Sequence, residues 1–103
     1  MEKLRYAVIS AASTDNTVVA AVTGQCIRVL AYTLVVTGAA TARFESGTAG
    51  TALTGQMPFA ANGGVSAPYN PQGHFQTLSG GLLNLELSAN AAHGHLTYVL
   101  VPG

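Results

Sequence analysis

The triplet His93-Gly94-His95 is the pattern in this sequence with the most direct chemical meaning. On a β-strand, residues i and i+2 project from the same face, so the two imidazoles would stand side by side. Three such pairs around a threefold axis would complete an octahedral metal site. The plainer reading of the same spacing is a pair of exposed polar residues on the solvent side of a half-buried strand, opposite Leu96 and Tyr98. The sequence favours that reading: no metal is assigned, and His93 and His95 stand as the candidates should one bind. His74 precedes Phe75 and shares no local spacing with the pair.

Other chemistries find less support. The four acids Glu2, Asp15, Glu45 and Glu86 fall in different segments, three of them at outward or turn positions, and no two are spaced as an acid–base pair. No Gly-x-Ser-x-Gly elbow occurs; Ser46-Gly47 and Ser79-Gly80 lack the first glycine and read as turns. The glycine-rich run from Gly47 to Gly55 lacks the Gly-Lys-Ser/Thr ending of a phosphate cradle and reads as a hairpin loop. Cys26, the one cysteine, lies in an apolar run as a buried thiol would. The expectation is therefore a protein that is not an enzyme, with no catalytic residues and no cofactor.

The elements that would carry these residues are strands. In Leu82–Ser88, Leu83, Leu85 and Leu87 alternate with Asn84, Glu86 and Ser88, the signature of a half-buried antiparallel strand. Thr41–Ser46 repeats it, with Ala42 and Phe44 inward and Thr41, Arg43 and Glu45 outward, and His95–Val101 presents Leu96, Tyr98 and Leu100. Further strands are expected at Leu4–Ala11, Thr17–Val22, Thr51–Phe59 and His74–Leu78. Turn residues recur about every ten positions, at Asp15-Asn16, Thr23-Gly24, Ser46–Gly50, Asn62–Gly64, Asn70–Gly73, Ser79–Gly81 and Ala92–Gly94. The reading is an all-β antiparallel sandwich of eight or nine short strands in a single domain, residues 1–103. Ala39–Ala42 and Ala89–Ala92 are too short to nucleate helices.

Cys26–Thr37 differs, because strict alternation gives it two apolar faces: Ile27, Val29, Ala31 and Val35 on one, Leu30, Tyr32, Leu34 and Val36 on the other. Such a strand needs a second covering layer, which in a chain of this length another subunit would supply, or else it is a central sandwich strand with one side partly exposed. Only 8% of the 103 residues are charged, against about 25% in a typical domain, and acids balance bases at net zero. That surface lacks the clustered cations that nucleic acid requires and is suited to being covered by neighbours. No window offers the ~20 apolar residues of a membrane helix, and the apolar run Tyr6–Ile9 is too short for a signal-peptide core.

The run Asn16–Leu30, followed by Arg43-Phe44-Glu45-Ser46-Gly47, Gly50–Gly55 and the stretch Leu82–Val101, resembles small β-rich structural proteins of tailed bacteriophages and prophages. Proteins of this kind are similar to head decoration, or cement, proteins that sit as trimers on the capsid lattice, and to small modules of tail fibres or spikes. The resemblance implies a jelly-roll-like sandwich and a virion protein made in the host cytoplasm. It also implies a homotrimer whose partners are its own copies and the major capsid protein or other virion proteins. Under that reading Leu30, Tyr32 and Leu34 are expected at a subunit contact, and Met57, Phe59, Tyr69 and Phe75 in the core or at the capsid contact. Residues 1–15 fit the resemblance least and read as an arm or edge strand. A tail-fibre component would present the turns Asn62–Gly64 and Asn70–Gly73 with Tyr69 as a receptor surface. A free carbohydrate-binding module is the third alternative, poorly served by seven aromatics and no tryptophan.

Overall fold

The structure, a computed structural model, describes residues 3–48 and 50–103. Met1 and Glu2, from the arm of the sequence reading, and Ala49, from its glycine-rich loop, lie outside the described residues. The chain forms eight strands: β1 (Arg5–Val19), β2 (Gln25–Val36), β3 (Ala40–Ser46), β4 (Thr51–Ala52), β5 (Met57–Phe59), β6 (Gly64–Ala67), β7 (Phe75–Gln76) and β8 (Leu83–Pro102). There is no helix among the described residues. All strand pairings are antiparallel, within one sheet.

Two pairs of expected strands are in fact single long ones. Leu82–Ser88 and His95–Val101 are the two ends of β8, and Leu4–Ala11 and Thr17–Val22 correspond to the two halves of β1. Thr51–Phe59 is broken into β4 and β5, and β6 starts at Gly64, the last residue of an expected turn, and runs through residues for which no element is expected from the sequence.

β8 is the central strand. Along one side it pairs with β1, from Arg5↔Tyr98 to Val19↔Leu83. Along the other it pairs first with β2, Gln25↔Pro102 to Val36↔Ala92, and then with β3, Ala42↔Leu87 to Ser46↔Leu83. The short strands line the far edges of β2 and β3. Arg5 pairs with Tyr98, Arg28 with Gln76, Ala42 with Met57 and Ser46 with Thr51, so partners lie nearly symmetrically about the middle of the chain. The molecule is one long hairpin, wrapped so that its last limb also slots between β1 and the β2–β3 ribbon.

A straight strand of 20 residues would span about 66 Å at ~3.3 Å per residue, yet the longest dimension is 39 Å. The ribbons therefore bend, all at one level. Thr14 and Asn90 take positive φ values of 75° and 63°, and the β1–β8 register shifts between Ala12 and Thr14. Residues 37–39 interrupt the third ribbon opposite them, where the Thr37 amide donates to the Ala91 carbonyl at 2.9 Å. Polar side chains replace the broken ladder: Asn16 Nδ2 donates to the Ala12 carbonyl at 2.7 Å, and Asn90 Nδ2 to that of Ala39 at 2.9 Å. The turn expected at Asp15-Asn16 is this bend, inside a continuous strand, and Ala92–Gly94 is strand throughout.

The bend lets both halves share one core. Ile9, Ile27 and Leu96 from one half meet Phe44, Leu83 and Leu85 from the other, all essentially inaccessible. Phe44 packs edge-on to Tyr32 with ring centroids 5.3 Å apart and lies 5.0 Å from Phe75.

The two-faced strand has a local cause. The β2–β8 register shifts between Val29 and Ala31, leaving Leu30 as an extra residue. Ile27 and Val29 before this bulge and Leu34 and Val36 after it consequently face the same core, in place of the strict alternation expected. Leu30 instead joins Cys26, Val99 and Val101 in a second buried cluster on the opposite face. The chain itself covers that cluster, so no neighbour is needed there. Leu30 and Leu34 retain 2% and 0% of their exposure, which corrects their assignment to a subunit contact: neither offers side-chain surface to a partner.

Burial raises the pKa of Tyr32 above its ordinary value. With the folded value raised, the unfolded chain loses this proton first as pH rises, so the contribution is intact below about pH 10 and is lost above it. Urea midpoints should fall above pH 10 more steeply for the native protein than for Tyr32→Phe. Parallel curves would mean that the Tyr32 hydroxyl is solvated in the fold.

Candidate functional site

Strand register brings together three of the acids that the sequence keeps apart. Asp15 on β1 pairs with Glu86 on β8, which pairs on its other side with Arg43 on β3. Two residues along the same strands, and so on the same face, Asn84 pairs with Glu45. This face is opposite to that of Phe44 and Leu85, which point into the core. One oxygen from each of Asp15, Glu45 and Glu86 lies within 4.8 Å of the others.

The polar contacts are specific. Arg43 Nε donates to Glu45 Oε2 at 2.6 Å and lies 3.2 Å from Glu86 Oε1. Asn84 Nδ2 donates to Asp15 Oδ1 at 2.8 Å and to Glu45 Oε1 at 2.9 Å, and Gln56 Nε2 donates to Glu86 Oε1 at 3.3 Å. Hydrogen bonding to Glu45 raises the pKa of Arg43, against a partial desolvation that lowers it, and the charges of Glu45 and Glu86 raise it further. Glu45 is wholly buried, contrary to the outward position expected for it, whereas Asp15 and Glu86 are partly exposed. A buried carboxylate is tolerable only with such partners. Asn84 is equally buried, and its Oδ1 has no hydrogen-bond partner among the described residues.

A cavity of about 440 Å³ opens onto this group, lined by Thr14, Asp15, Thr41, Gln56, Glu86 and Ser88 among others. Its size is in the range of small-ligand sites, and hydroxyls, an amide and two carboxylates share its walls with apolar surface. Thr14, the β-branched residue held at positive φ, sits on its rim beside Asp15. Sequence spacing missed this site because its residues come from three strands. The available signal was that Arg43/Glu45 and Asn84/Glu86 share an i, i+2 spacing on the polar faces of two alternating strands.

The residues singled out from the sequence are dispersed. His93 and His95 are both exposed on the outer face of β8, His93 between Ser10 and Val35 and His95 between Val8 and Thr33. Gly94 between them is fixed by close approach, since a Cβ there would run into the Thr33 carbonyl. His74 Nε2 is 2.7 Å from the Pro68 carbonyl, and its ring meets Tyr32 edge-on. Tyr32 and Met57 are half-buried against the main core, and Tyr69 is 58% exposed. The most exposed apolar side chains are elsewhere: Tyr6 and Val8, at 75% and 79%, share the outer face of the sheet with the two histidines and Val35. No family model, curated protein or solved structure matches the chain.

Proposed function

We propose that this protein is a structural assembly module of a virion, foremost a capsid decoration protein that binds the head lattice as a homotrimer. The observation that carries the reading is the outer face of β1, β8 and β2. There Tyr6, Val8 and Val35 stand exposed among Ser10, Thr33, His93, His95 and Thr97, without an Asp, Glu, Lys or Arg in those rows. Repeated copies can pack through such a face without stacking like charges at every symmetry mate. The free edge of β1, which pairs only with β8 among the described residues, supports the same reading, because an unpaired edge favours addition of another strand. The wrapped hairpin supports a jelly-roll-like sandwich, the fold that the resemblance to phage structural proteins implies. A tail-fibre module is the second reading, favoured by exposed Tyr69 beside the turn in which Gln72 N donates to Asn70 Oδ1 at 2.9 Å.

Light scattering tests the assembly reading. A trimer mass is expected for the native chain and a monomer mass, with unchanged β circular dichroism, for Val8→Asp. A native monomer at every concentration would overturn self-assembly. Peptides of the chain in purified phage heads would support decoration, and peptides confined to tails would replace it with the second reading.

A further inference from the structure

We propose that Asp15, Glu45, Asn84 and Glu86 form a binding site for a divalent cation, calcium by its donor set. Among the described residues the three carboxylates face the single Arg43 guanidinium, which leaves two negative charges uncompensated beside the cavity that Asp15 and Glu86 line. The hydrogen bonds made there use only one oxygen of Asp15 and one of Glu86.

The independent observation is Asn84. Its amide is wholly buried and reaches into the cluster, yet Oδ1 is without a partner among the described residues, which is rare for a buried carbonyl oxygen. Oδ1 is bonded to the same carbon as Nδ2, which donates to both Asp15 and Glu45, so this oxygen lies at the edge of the carboxylate group. A cation held by the carboxylates would give it the partner that it lacks.

The donor set selects the ion. One oxygen from each of the three carboxylates lies within 4.8 Å of the other two, near enough for one ion to reach all three, and calcium takes about 6–8 oxygen ligands from carboxylates, amide carbonyls and water in a flexible geometry. Magnesium keeps several waters and is held by one or two carboxylates rather than by an all-protein cage. All four ligands are hard oxygen donors, and the cavity has room for the water that completes the shell. Bound there, the ion would tie the edge strand β1 to β8 and β3 just beyond the bend.

The test uses Ca2+ alone as the probe, added to chelator-treated protein and followed by calorimetric titration and thermal unfolding. Saturating Ca2+ should raise the unfolding midpoint by several degrees, and Mg2+ at the same concentration by much less. Asp15→Asn and Glu86→Gln change partly exposed residues, so these variants should keep the native circular dichroism while binding Ca2+ at least tenfold more weakly. No heat and no midpoint shift with Ca2+, or an undiminished shift in the double variant, would overturn the site. An equal response to Mg2+ would overturn the selection of calcium. The oligomeric mass of the protein decides none of these outcomes, so this proposal and the assembly reading fail separately.

Discussion

Replacing Phe44 by alanine should cost about 3–5 kcal/mol, the largest effect expected of any single truncation in this chain. Phe44 is fully buried, packs against Tyr32 and Phe75, and stands where the two halves of the bent sheet meet. The remaining cavity would be walled by strands held on both sides, so collapse around it is restricted. Domains of this size are stable by only about 5–15 kcal/mol, and the variant should sit near its unfolding midpoint at modest urea concentration. Equilibrium denaturation measures the loss directly. A loss under about 1.5 kcal/mol would mean that the halves do not depend on a shared core.

Gly94→Ala should be nearly as damaging, at about 3 kcal/mol, the upper end for overpacking, because the added methyl meets backbone. The obstacle is the Thr33 carbonyl of β2, which cannot rotate aside as a side chain would, so β2 and β8 must separate along the central seam. His93→Ala and His95→Ala remove exposed side chains and should change stability by less than about 0.5 kcal/mol each. Urea midpoints of the three variants separate the roles within the triplet. Equal losses in all three would show that the histidines contribute to the fold, and a harmless Gly94→Ala would refute the tight approach of the strands.

The strand character of the chain was legible because Leu83, Leu85 and Leu87, like Ala42 and Phe44, alternate with polar neighbours, and that signal is local. The continuity of β1 and β8 was not, since Thr14 and Asn90 bend the strands where composition suggests that they end. Period-two reasoning failed at Leu30 for a related reason. One bulged residue inverts every later side chain, and nothing in the string Ile27–Leu34 marks its place. The carboxylate group was the least legible feature, because it depends on the register of β1, β8 and β3 together, and the residues it joins are up to 71 positions apart in numbering, Asp15 and Glu86. The exposed pair Tyr6 and Val8 could be read as strand from sequence, but which face remained open was decided by the fold.

The position of β8 has a consequence for how the protein is made. The strand that organises the sheet leaves the ribosome after all the others, and until it arrives β1 has no partner and the β2–β3 ribbon has only the short strands beside it. A nascent chain released as far as residue 82 therefore holds its apolar residues on unpaired ribbons, with most native contacts still unreachable. Closing pairs as distant as Arg5 and Tyr98 is slow relative to local hairpin formation. The unfinished chain is thus the stage most open to wrong pairing between copies, and the holdase capacity of the cell that makes it, rather than the stability of the finished sheet, is expected to set its yield.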